Sequence, residues 1–313
     1  MELFHHFQHQ TAPTLCFAEV WGPAISIAFK KEYLMTAMLA TSARHLSILQ
    51  PENAVYSEAA MALLSRACAS FSAALDAQDG GEKHDALFFT AMLIHYLTWC
   101  NLDFLESQTE EDDSQGPDLR RDQLFLLSSG VRVFLHKTRA QGPSSIFANM
   151  SSISQCSALE NIVEAQGMDS DAIVQAFMER YDAIGAPKPS PPVPVPEQAS
   201  VVDREAYRAI VSRLSVILAL CEYKDANATP PERSDIERYV FSFPLFCVGT
   251  FLDMIGAGDA RAVLVLYHFY RTSMLIMGDG VPWWAAGRFE VMVRVLGEEL
   301  ERRHVGRFVR GLS

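Results

Sequence analysis

The stretch from residue 86 to residue 104, ALFFTAMLIHYLTWCNLDF, is the strongest constraint in this sequence. Its apolar residues fall nearly all the way round a helix instead of on one face, and a helix of that kind is buried on every side. A chain that contains it must supply other helices to wrap it. Residues 32–49 are one such helix: Leu34, Met35, Met38, Leu39, Leu46 and Leu49 recur mostly at helical spacing, and Pro51 stops it. The same spacing predicts helices over residues 55–75, 203–223, 241–255, 261–277 and 282–312. Strand patterns are scarce and no internal repeat is present. The expected fold is all-α, a single helical-bundle domain over residues 1–313. Residues 86–104 form its central helix, with an apolar pocket between facing helices.

Two segments interrupt the helical pattern. Residues 106–116, ESQTEEDDSQG, are acidic, lack any large apolar side chain and read as a loop. Residues 186–196, APKPSPPVPVP, read as an extended proline-rich strip on the surface. The strip could separate two domains, and a length of 313 residues leaves the count open. The need to cover the central helix on all sides favours one.

Charge and cysteine usage exclude several function classes. With 26 basic and 38 acidic side chains the net charge is −12, which repels nucleic-acid phosphate and anionic lipid. This chain alone is therefore expected to bind no nucleic acid. The basic run near the C-terminus, ERRHVGRFVR, is short, balanced by nearby acids, and reads as a solvated helix end. No apolar run reaches the roughly 18 residues a membrane-spanning helix needs, so no membrane insertion is expected. The opening MELFHHFQHQ has no basic region followed by an apolar one and is not a signal peptide. The six cysteines are scattered without a C-x-x-C pair, which argues against a structural zinc site. Most sit in apolar helical runs and read as reduced, buried thiols, which suits an intracellular, cytoplasmic setting.

The candidates for chemistry are few. His5, His6 and His9 do not make the zinc-protease pattern, because the position after His5 is histidine where that pattern needs glutamate. They read as helix histidines that cap or pack, and no metal is expected. There is no phosphate-binding glycine loop and no nucleophile elbow; GAGD at residues 256–259 joins two helices without a preceding strand. No cofactor is expected. His95 and Tyr96 lie in the middle of the central helix with Trp99 and Cys100 one turn on. A buried imidazole must hydrogen-bond to something, either a neighbouring group or a ligand oxygen in a pocket. Arg271 sits in the apolar run VLVLYHFYRTSMLIM. A guanidinium there needs a carboxylate, Glu19 or Asp253 for example, or an anionic ligand oxygen, with Tyr267 and Tyr270 as further donors. Phe246, Met254, Met274, Trp283 and Trp284 belong to an aromatic and methionine-rich last third that is core or the wall of an adaptable pocket.

Several stretches resemble one family. MELFHHFQHQTAPTL is similar to the opening of the regulatory domain that follows the DNA-binding zinc cluster of fungal transcription factors of the sterol-uptake type. VWGPAISIAFKKEYLMTAMLATSARHLSIL resembles its next segment, with the signature at Ala43, Arg44, His45 and Leu46. DQLFLLSSGVRVFL resembles its Gly-x-Arg helix, with Gly130 and Arg132. FPLFCVGTFLDMIGAGDARAVLVLYHFYRTSM and PWWAAGRFEVMVRVLGEEL resemble the last third, with Trp283, Trp284 and Gly287. The resemblance implies an all-α fold around an apolar pocket that holds a lipid-like ligand in the sterol regulators. The zinc cluster and its basic linker are missing here.

Two functions follow from the resemblance. The sequence starts at a methionine almost on the first family-like motif, which favours a protein consisting of this domain alone. Some fungal natural-product pericyclases, the hetero-Diels–Alderases of tropolone sesquiterpenoid pathways, are of that kind. Such an enzyme works without metal or nucleotide, by orienting a reactive apolar substrate and stabilising a developing negative oxygen. Its expected catalytic residues are His95, Arg271 and Tyr270. Tyr96, Trp99, Phe246, Met254, Tyr267, Met274, Trp283 and Trp284 are its expected binding residues. The other function is the ligand-sensing module of a transcription regulator, which would be nuclear. Either way the expected partner is an apolar small molecule, and a homodimer is left open.

Overall fold

The computed structural model describes residues 1–76, 82–105, 117–140, 157–185, 197–222 and 230–308. The expected loop at 106–116 and strip at 186–196 lie outside these residues. The described elements are all helical, with no strand among the described residues, as expected. The α-helices are α1 (Glu2–His6), α2 (Trp21–Ala28), α3 (Glu32–Leu49), α4 (Ala54–Asp76), α5 (Glu82–Cys100), α6 (Gln123–Ala140), α7 (Ser157–Ala165), α8 (Ser170–Gly185), α9 (Glu197–Glu222), α10 (Arg233–Ser242), α11 (Thr250–Gly256), α12 (Ala260–Met277) and α13 (Trp283–Arg302). No single described helix is long and apolar enough to cross a membrane.

The chain forms two compact units. The first comprises Met1–Asn101, Leu127–Gln155 and Pro282–Ala286; the second comprises Leu102–Leu126, Cys156–Val281 and Gly287–Ser313. The proline-rich strip is not the divide, since the chain on both sides of it belongs to the second unit.

In the first unit α3 packs on α1, α2, α4 and α5. Small residues on α3, Ala37, Ala40 and Ala43, are fully buried and let neighbouring helices approach closely. Every residue from Ala86 to Trp99 on α5 is buried, as its all-round apolar pattern requires. The α-helix stops at Cys100, earlier than expected, and a short 3-10 turn, Asp103–Leu105, follows.

In the second unit α9 packs on α8, α11 and α12. Phe243 stacks on Phe269 at 4.1 Å, and Tyr181 lies 4.8 Å from Tyr207. Two boundaries here differ from the expected ones. Residues 241–255 are not one helix. Pro244 sits in a 3-10 turn, Gly249 adopts φ 56, and the helical segments on either side are bent by 84°. Proline cannot donate to the helix ladder, and a positive φ suits glycine, so the apolar run is folded back on itself. The last helix ends at Arg302 instead of reaching residue 312. His304 turns left-handed (φ 59), and the Val305 N–H returns to the Leu300 carbonyl at 3.0 Å. This is a Schellman-like stop, with histidine where glycine is usual.

The cysteines also differ in part from expectation. Cys16 and Cys247 are buried, but Cys68 is exposed and Cys100 and Cys221 are half-buried. Cys156 lies outside the described residues. The basic C-terminal run is more than a solvated end. Arg302 and Arg303 both hold Glu299, which is only 3% exposed.

Candidate functional site

In the first unit the opening segment of the chain is tied down by histidine, threonine and tryptophan. His6 and His45 are both buried, and their rings meet with His6 Nε2 3.3 Å from His45 Nδ1. Thr11 Oγ1 shares that same Nδ1 at 3.1 Å. The indole of Trp283 stacks on His45, with centroids 4.4 Å apart and planes 7° from parallel, and donates to Thr14 Oγ1 at 2.8 Å. The Trp284 indole donates to the Thr14 carbonyl at 3.4 Å. Burial, with a smaller push from His6, lowers the His45 pKa to about 4; burial also lowers that of His6, against the pull of Glu2. Both shifts favour the neutral ring, and whichever imidazole accepts from the other must be neutral to do so.

The expected residues of the central helix join a second cluster in this unit. Tyr96 and Trp284 are 4.7 Å apart, Trp99 and Trp284 6.0 Å, and His95 and Trp99 6.3 Å. The donors of Tyr96, Trp99 and Trp284 have protein partners. The Trp99 indole donates to His95 Nε2 at 3.3 Å, so that nitrogen is an acceptor. The hydroxyl of Tyr96 donates to the Cys16 carbonyl at 3.4 Å, which also accepts from the Trp21 indole at 3.3 Å. Sequence reasoning placed Tyr96, Trp99 and Trp284 together; it did not anticipate that the donors of Tyr96 and Trp284 would be spent on the 14–16 segment and that of Trp99 on His95.

Beside His6, lined also by Met1 and Glu2 at the start of the chain, lies an open groove of ≈ 700 Å³. Phe4, Leu46 and Leu49 give it apolar walls, and His5, His6, Gln8, Gln10 and Gln50 supply polar groups. None of the expected binding residues lines it. The signal that could have found it was the Leu46–Leu49–Gln50 end of α3 lying beside the opening histidines.

The second unit holds the remaining expected residues. Met254 and Tyr270 are buried, and Tyr267, Arg271 and Met274 are half-buried. Phe246 lies under the Arg213 guanidinium at 3.7 Å, with Tyr239 also against Arg213 at 4.2 Å. The expected demand of Arg271 for a carboxylate is not met: it has no ion pair among the described residues. At half-burial its head can stay hydrated while its stem packs, so none is required.

The guanidinium that does need a carboxylate is Arg288, which sequence reasoning missed. It is 2% exposed, and its partner Asp122 is 1% exposed. Nη1 donates to Asp122 Oδ2 at 2.7 Å and Nη2 to Oδ1 at 3.2 Å. Asp122 Oδ1 also accepts from the Leu124 N–H at 3.0 Å, capping the start of α6. Burial works against the charge on Arg288, but Asp122 outweighs it and holds the group charged. The Tyr270 hydroxyl is close enough to feel Arg288 but makes no hydrogen bond of ordinary geometry, and burial keeps it protonated. Tyr270 is thus part of the core around an ion pair. His268, on the same helix, is fully buried with neither ring nitrogen hydrogen-bonded.

The N-terminal third matches the fungal specific transcription factor domain. The match covers residues 2–111, which include α1 to α5, the His6–His45 pair and nearly all of the groove. Among known proteins, the chain is 22% identical over 287 residues, 87% of its length, to Sterol uptake control protein 2 of Saccharomyces cerevisiae. It is 31% identical over 105 residues, 31% of its length, to a Zn(2)-C6 fungal-type transcription factor of Gibberella zeae. The chain spans about a quarter of the length of these curated relatives, 27% and 21%. No solved structure matches. The resemblance read from the motifs is borne out, and no zinc cluster is present in this sequence.

Proposed function

We propose that this chain is the effector-responsive regulatory part of a fungal zinc-cluster-type transcription regulator, working in the nucleus, and that its effector is an apolar small molecule. The observation that carries this reading is the position of the groove. It lies on the segment that matches the transcription factor domain, and its apolar walls come from two of the stretches that carry the resemblance, the opening MELFHHF and the end of ARHLSIL. A flat apolar ligand would cover Phe4, Leu46 and Leu49, and a hydroxyl or carbonyl on it would reach the glutamines. The similarity to a sterol uptake control protein makes a sterol-like compound the first effector to try. Both relatives named above carry the names of regulators, so the pericyclase reading has no such support.

The test is titration with a fluorescent sterol, dehydroergosterol, on the purified protein. Saturable binding is expected, weakened at least tenfold by Leu49→Glu at the groove and unchanged by Leu275→Glu. Both leucines are exposed, so neither change endangers the fold. Absence of saturable binding, or equal binding by both variants, rejects the sterol-in-groove assignment.

A further inference from the structure

Two fully buried polar side chains in the second unit share a neighbour and lack a hydrogen bond. His268 on α12 has neither ring nitrogen hydrogen-bonded among the described residues, and the hydroxyl of Tyr207 on α9 has no partner there either. A buried donor without an acceptor is costly, and native proteins leave few. Helix α8 brings the two together. Phe177 packs edge-on to the His268 ring with centroids 5.3 Å apart, and Tyr181, one turn further along α8, lies 4.8 Å from Tyr207. Arg180, half-buried beside Tyr181, acts through its charge on both His268 and Tyr207. The helices α8, α9 and α12 pack on one another pairwise, so these groups meet where three helices join.

What the junction lacks is a negatively charged acceptor. The charges that act on His268, those of Arg271 and Arg180, are both positive. Arg271 follows one turn after His268 and has no ion pair among the described residues. Asp259 acts on Tyr207, but the Arg261 guanidinium holds it at 2.9 Å. Arg180 donates to the carbonyls of Phe308 and Ala176, at 3.1 and 2.9 Å, which fixes its position and leaves its charge in place. A neutral imidazole and a phenol each have a hydrogen to give. A carboxylate has two oxygens to receive them and a charge that the arginines offset, and hydrogen bonds to such a group are the strong ones. A water molecule could accept the hydrogens but would not answer the positive charge.

We propose that the junction of α8, α9 and α12 binds the carboxylate of a small organic acid, with His268 and Tyr207 donating to its oxygens and Arg180 and Arg271 offsetting its charge. Both donors are fully buried, so the acid is a small one and enters only when a neighbouring side chain moves aside. That movement lowers the affinity. These residues all belong to the second unit, whereas the residues that line the groove belong to the first. The inference therefore does not rest on the effector reading.

The test is calorimetric titration of the full chain with sodium butyrate at constant ionic strength, with 1-butanol and sodium chloride as controls. Butyrate should bind saturably and raise the melting temperature; the controls should do neither. His268→Leu and Tyr207→Phe should each weaken butyrate binding at least tenfold, because each removes a hydrogen bond to a charged group. Neither should lower the melting temperature of ligand-free protein, since each deletes a buried polar group that lacks a partner. Leu49→Glu, in the groove, should leave butyrate binding unchanged. Absence of saturable butyrate binding overturns the proposal. So does equal binding of butanol or chloride, which would mean that no carboxylate is being read. Butyrate binding undiminished in either buried-site variant, or weakened by Leu49→Glu, places the acid elsewhere and overturns it as well. A fall of several degrees in the ligand-free melting temperature of either buried-site variant would mean that the deleted group already has a partner within the protein, with the same result.

Discussion

Asp122 and Arg288, 166 residues apart in sequence, form a two-pronged ion pair with side chains 0% and 1% exposed. Arg288→Met should cost about 3–5 kcal/mol, because it strands a buried carboxylate. Adding Asp122→Asn, which keeps an oxygen for the Leu124 N–H, should restore a large part of that loss. Urea unfolding of the wild type, both single variants and the double variant gives the coupling. A double variant as unstable as the sum of the singles would show that the pair is not the unit of stability described.

Arg271 should behave in the opposite way. Half-buried and without an ion pair among the described residues, it strands nothing when removed. Arg271→Met is expected to change stability by no more than about 0.5 kcal/mol, the range of ordinary surface substitutions. A fall of several degrees in the melting temperature would mean that a carboxylate depends on it after all.

Acid sensitivity should trace to buried histidines. Burial, helped by the charges of Arg271 and Arg180, lowers the His268 pKa to about 3, and His45 sits at about 4. Each is neutral in the folded protein and more basic in the unfolded chain. Their stabilising contribution is therefore present above about pH 6.5 and is lost as the pH falls toward the folded values, at up to about 1.4 kcal/mol per pH unit for each group. His268→Leu should raise the melting temperature at pH 7.5, since it removes two buried nitrogens that lack hydrogen bonds. It should also shrink the loss between pH 7.5 and pH 5. Equal losses in wild type and variant would clear His268 of the effect.

Much of the fold was legible because period and punctuation agree. Helix α3 runs over Glu32–Leu49, as its apolar spacing and Pro51 indicate, and the all-round apolar run became the buried stretch of α5. Errors came where one local residue overrides the pattern: Pro244 and Gly249 break an apolar run, and His304 ends α13. The site was less legible because pairing across long sequence distances leaves no local mark. Asp122 in RRDQ looks like a surface residue, and Arg288 in AAGRFE looks no more buried than Arg271 in FYRTSM. What separates the two arginines is the carboxylate that each helix meets. The same holds for His6 and His45, 39 residues apart. Each sits in a motif quoted for the resemblance, and nothing in either motif says that they touch.

The placement of the tryptophans has an optical consequence. The chain has four, Trp21, Trp99, Trp283 and Trp284, and all fall in the first unit. Indole emission is therefore blind to the unit that contains Asp122, Arg288 and His268. A fluorescence melt would follow only the helices around α3 and α5, whereas far-ultraviolet circular dichroism would follow both. If the two curves separate, the units come apart one after the other, and the gap between them measures how loosely their stabilities are coupled.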